Sequence, residues 1–185
     1  MCLLRPSLLA FLIALAVPAF AGTEKRVSPS GTSTAWIATG QHLSIELIPV
    51  APDAVRAMYA RKDFPKSLLE DIAGYCVLGS IIRNETDAEI SYDMNGWRFT
   101  AQGGQPQLPR TKDEWLGLWR QQGVDFSYSL LPAAQTFEPG DWSQGMITLK
   151  LPRGARFDFT YTWMQHGKKF SATVEGVQCA KESAH

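Results

Sequence analysis

From Phe157 to Trp163 every second side chain is aromatic: Phe157, Phe159, Tyr161 and Trp163 alternate with Asp158, Thr160 and Thr162. A period of two belongs to extended chain, whose side chains point alternately to opposite faces. Four large rings on one face need cover along the whole strand, whereas the other face suits water. The chain therefore has to build a sheet with unlike faces and set a second layer against the apolar one.

Other segments carry the same signature. Leu43, Ile45 and Leu47 mark a strand over residues 42–48, ended by Pro49. Residues 76–83 are dense in apolar and β-branched side chains, and the turn Asn84-Glu85-Thr86-Asp87 follows. Ile90, Tyr92 and Met94 alternate up to Asn95-Gly96, and Trp97 and Phe99 alternate after it. Asn-Gly between two such runs predicts a type I′ hairpin, because both turn positions need positive φ. Val124, Phe126, Tyr128 and Leu130 predict one more strand, and residues 146–151 another, closed by Pro152. The turn Gln165-His166-Gly167-Lys168 sends the chain back through Phe170, Ala172 and Val174.

Helical periodicity appears in only two stretches, the first made of two short helices and the second of one. Pro52 opens a short helix with Val55, Met58 and Tyr59 on one side, stopped at Asp63-Phe64-Pro65. A second turn of helix over residues 66–73 buries Leu68, Leu69 and Ile72 and ends at Gly74. Met58 and Tyr59 read as core contacts, and Arg56 and Arg61 as facing water. Further on, Thr111 and Glu114 have capping-box spacing, Trp115 and Trp119 stand one helical turn apart, and Gly123 ends the helix. Those tryptophans are expected to cover the sheet that holds the aromatic strand, or its open end. About eight strands with two small helical insertions predict an antiparallel β-sandwich, with a closed barrel as the other way of covering the apolar faces.

The N-terminus reads as an export signal. Arg5 precedes an uncharged apolar stretch from Leu8 to Phe20, and Ala19-Phe20-Ala21 places small residues where a signal peptidase reads them. The stretch is shorter than the ~20 residues that span a bilayer, so a cleaved signal over residues 1–21 is expected rather than a stable membrane anchor. Polar residues 22–40 read as a flexible arm, with at most a short strand near Trp36, and residues 41–185 as a single domain. Removing 21 of 185 residues leaves 164, and removing Arg5 with them leaves 17 basic against 18 acidic side chains. No basic run remains to suit nucleic acid. Of the three cysteines, Cys76 and Cys179 lie beyond the signal. In the oxidising periplasm or extracellular space such a pair is expected to bridge, contributing about 4–5 kcal/mol by chain entropy.

Motifs that carry chemistry are few. The chain has no HExxH, no CxxC and no GxSxG. Met146, Met164 and His166 offer thioether and imidazole donors that would suit copper(I) if they converged, although His166 is also an ordinary turn residue. Without that convergence no cofactor is implied. Asn84-Glu85-Thr86 fits the N-glycosylation acceptor. The most unusual stretch runs from Gln135 to Met146, where Pro139-Gly140 makes a tight turn flanked by Glu138, Asp141 and Trp142. This is the candidate recognition loop. Trp142 either anchors a partner or folds inwards to cap the sandwich, and its large apolar area favours the second. These features together imply an exported binding or accessory module acting on another exported protein or a small ligand. A periplasmic copper handler and a secreted hydrolase are the alternatives.

Overall fold

A computed structural model describes residues 22–27, 34–40 and 43–182 of the chain. The expected signal peptide, residues 1–21, lies outside the described residues.

Two antiparallel sheets face each other. Sheet A has the order β1 (Thr23–Val27), β2 (Thr34–Gly40), β3 (Leu43–Val50), β4 (Cys76–Asn84) and β8 (Trp142–Leu149). Sheet B has the order β10 (Lys168–Gln178), β9 (Arg156–Gln165), β5 (Ile90–Asp93) and β7 (Ala134–Phe137), with β6 (Arg98–Ala101) also on β9. The sheets remain separate, so the architecture is a β-sandwich and not a closed barrel. Phe157, Phe159, Tyr161 and Trp163 all point into the space between the sheets, where they meet Ala38, Ile45, Leu78 and Ile147. Alternate residues Asp158, Thr160 and Met164 are partly or fully exposed, so the period-two pattern sets the layer structure.

The buried Cys76–Cys179 disulfide ties β4 in one sheet to the residue just after β10 in the other. A cross-link between layers restrains the separation of the sheets themselves, not just the end of a strand.

Three helices form a cap on one half of the outer face of sheet A. Helices α1 (Pro52–Ala60), α2 (Lys66–Ala73) and α3 (Lys112–Gln121) share a second core in which Tyr59, Phe64, Trp115 and Trp119 cover Val77 and Met146. The capping box at Thr111 and Glu114 is formed, and Gly123 takes a φ of 76° just past the helix. The expectation that helix α3 covers the sheet containing β9, or its open end, is not met. The Trp115 indole donates to Thr148 on β8, which holds the helix on sheet A. Strand β4 explains the choice. Its run is apolar at both parities, so both of its faces need cover, whereas β9 is polar on its outer side.

Three local expectations are corrected. Residues 22–40, expected as an arm, contribute two strands, with Trp36 and Ala38 buried opposite Leu47 and Ile45. Asn95-Gly96 does not close a hairpin. Met94–Gly96 form a single 3-10 turn, and β5 and β6 both pair with β9, end to end along it. The interruption lets the Trp97 indole reach the Thr162 carbonyl, 3.0 Å away. Gly96 is needed for space, since a Cβ there would run into the Thr162 hydroxyl. The alternating segment 124–130 is not a strand of either sheet. Val124 and Phe126 pack on the helical core, and only Leu130 bridges to β8.

Candidate functional site

The half of sheet A's outer face that the helices leave open carries the candidate site. Register places Ile48, Gly79 and Met146 side by side in one row. The next row is Ile37, Glu46, Ile81 and Gln144, and then Thr39, Ser44, Arg83 and Trp142. Where the cap stops, Met58 and Ser129 form a wall above Ile48, Gly79 and Ile81, enclosing a mostly apolar groove of about 410 Å³. Gly79 keeps its floor low, the nearest atom to a Cβ there being the Ile48 carbonyl at 3.6 Å. Met58, expected in the core, is 40% exposed on this wall.

Trp142 ends the strip. It does not fold inwards. It is 55% exposed on the outer face, with the Arg83 guanidinium 5.7 Å from its ring centre. The other five tryptophans, Trp36, Trp97, Trp115, Trp119 and Trp163, are buried. The turn that presents Trp142 is anchored by Asn84. Its amide nitrogen donates to the carbonyls of Ala88, Phe137 and Glu138, and its amide oxygen accepts from both the N–H and the hydroxyl of Thr86. Its backbone bonds Asp141 and Gly140. Asp141 accepts from the Glu138 N–H, which leaves both carboxylates at the surface on a fixed turn, with Gly140 at a φ of 80°. Asn84 is itself buried and fully engaged, so the glycosylation acceptor reads as a folding device.

Ser129 shapes the other end. Its C=O accepts from the Met146 N–H at 2.7 Å, and two residues on, the Leu131 N–H donates to the Met146 C=O at 3.0 Å. This is a short stretch of parallel strand on the free edge of β8. At Ser129 the φ of 73° is left-handed, a conformation that costs a non-glycine residue about 1–2 kcal/mol. The turn lifts the preceding chain off β8 and onto the helical cap, where Tyr59 bonds the Ser129 hydroxyl at 2.8 Å. Burial pushes the Tyr59 hydroxyl up to about 12, and the Ser129 bond opposes this only in part. A phenol of that acidity stays protonated at physiological pH and is no general base, so Ser129 is positioned without being activated.

The copper donors do not converge. Met146 lies under the helical cap on sheet A, Met164 lies on the outer face of sheet B, and His166 occupies the β9–β10 turn with a φ of 51°. Among the described residues no group of three or more His, Cys, Asp or Glu side chains is placed to hold a metal ion. Of the candidate recognition loop, Trp142 belongs to the strip and Glu138 and Asp141 flank it. Gly79, Ile81, Ser129 and Gln144 were not foreseen. Their signal was the second apolar parity of β4, Val77 and Ile81, which marks a strand with something to cover on its outer side. No protein-family profile matches the chain, and no curated protein matches it in sequence.

Proposed function

We propose that this protein is an exported binding or accessory module, acting in the periplasm or extracellular space through the open strip of sheet A. The observation that carries the reading is Trp142. In a chain that buries its other five tryptophans, this one stands in water beside an apolar groove, on a turn fixed by Asn84. Exposed aromatic anchors beside a pocket, with Arg near by, are the usual centre of a contact surface. The N-terminal segment and the disulfide favour an exported partner, because both belong to an oxidising compartment.

Photo-crosslinking in the exporting host tests this. A benzophenone side chain at position 142 is expected to give a discrete adduct that disappears when Ile81→Asp is added. The same group at position 164, on the outer face of sheet B, is expected to give none. Adducts from position 164 alone, or from 142 regardless of Ile81, would contradict the reading.

A further inference from the structure

Strand β8 is one edge of sheet A, opposite β1, and along its length the edge is filled in some places and open in others. In the β4–β8 register, Gly145 pairs with Ser80 and Met146 with Gly79, with no bulge between Trp142 and Leu149. Met146 turns its N–H and C=O outwards, to Ser129 and Leu131, and Thr148 turns its C=O outwards to the Arg110 N–H at 2.9 Å. Backbone direction alternates with a period of two, so Gln144 and Trp142 also present their groups to the outside. Gln144 and Trp142 are exposed, and among the described residues no chain pairs with that part of the edge. The parallel stretch 129–131 would continue towards Gln144 if it ran on backwards. The left-handed turn at Ser129 removes it.

We infer that the open edge at Trp142–Gln144 receives an extended polypeptide segment of a partner, added to sheet A as a further strand beside β8. The inference rests on the binding-surface reading above and names the chemistry of what binds there. Three observations specify it. The free N–H and C=O groups call for another backbone, since edge groups left in water are a template for strand addition. Every second side chain of that strand would face the outer side, where Gln144 and Met146 of β8 rim the mostly apolar groove, so apolar residues are favoured at those positions. Arg83 has no carboxylate within ion-pair reach among the described residues, so an acidic side chain beside Trp142 is favoured. Glu138 and Asp141, on the turn just beyond, disfavour a second acid past that point. The segment is thus apolar at alternate positions, with a single acid near one end.

The probe is a phage-displayed library of random dodecapeptides, panned on the purified, oxidised protein. Recovered peptides are then synthesised. Peptides with apolar alternation and one acid are expected, bound at least tenfold more weakly by Gln144→Pro than by Gln144→Ala. Proline at this position removes an outward N–H and leaves the bonds to β4 intact. As a readout independent of how that variant folds, single N-methylation along the peptide is expected to abolish binding at alternate positions only. Binding lost on Trp142→Ala but indifferent to Gln144→Pro and to N-methylation overturns strand addition and leaves the surface in place. Recovery of no peptide, or of peptides indifferent to Trp142→Ala, overturns both.

Discussion

The hydroxyl oxygens of Tyr59 and Ser129 lie 2.8 Å apart, and this contact joins the helical cap to the segment that leaves strand β8. It fixes the one exposed boundary of the groove that is not sheet. Because Tyr59 is buried, its ionisation couples to unfolding.

The folded-state value of Tyr59, about 12, lies above the ordinary 10. Stability from this group is therefore intact below pH 10 and is lost as pH rises from 10 towards 12, by about 1.4 kcal/mol per pH unit. Burial shifts Tyr92 upwards as well and adds to the same decline. Denaturant midpoints measured between pH 8 and 12 are expected to fall more steeply for the wild type than for Tyr59→Phe. Identical alkaline profiles would contradict the assignment.

Phe159 and Thr160 are neighbours on opposite faces of β9. Phe159 is buried between the sheets, and Thr160 shares a hydroxyl–hydroxyl bond of 2.9 Å with Thr173 on the outer side. Phe159→Ala is expected to cost about 3–5 kcal/mol through lost transfer energy and the cavity left behind. Thr160→Ala is expected to cost under about 1 kcal/mol. Comparable losses in urea melts would mean that sheet B is covered on both faces.

Asn84 is the hub of the turn that presents Trp142. Asn84→Ala leaves three carbonyls without their donor and is expected to cost about 3 kcal/mol. Asn84→Asp removes the same donor and is expected to do little better. Thermal melts of both variants check this, and a loss under 1 kcal/mol would show that the turn is held by other contacts. In a glycosylating host, the folded fraction is expected to carry no glycan at Asn84, read by intact mass.

Legibility in the sequence followed the range of the deciding interaction. The aromatic alternation of β9, the helix Lys66–Ala73 and the Thr111–Glu114 box are local patterns, and each sits where its spacing indicated. The Cys76–Cys179 bridge followed from there being just two cysteines beyond the expected cleavage point. Asn95-Gly96 misled because turn propensity is local, whereas its conformation is decided by β9, which pairs on both sides of it and accepts the Trp97 indole bond. Residues 124–130 misled for a related reason. Their alternation is real, but Phe126 finds aromatic partners in Tyr59 and Trp119 on the helices and in Phe64 between α1 and α2, and not in a sheet. The candidate site was only half legible. Trp142 stood out beside Pro139-Gly140, but its apolar area argued for an inward side chain, and Ile81, Gln144 and Ser129 come together from separate parts of the chain.

The central claim is that Trp142 serves contact and not the fold, and the stability of Trp142→Ala beside Trp163→Ala tests it most directly. Trp163 is buried between the sheets, stacked between Tyr161 and Phe170, whereas Trp142 is more than half exposed beside the Arg83 guanidinium. Urea denaturation of the oxidised variants is expected to show a loss of about 3–5 kcal/mol for Trp163→Ala and under about 1 kcal/mol for Trp142→Ala. A loss for Trp142→Ala equal to that for Trp163→Ala would make Trp142 a structural residue and contradict its role as the anchor of a contact surface.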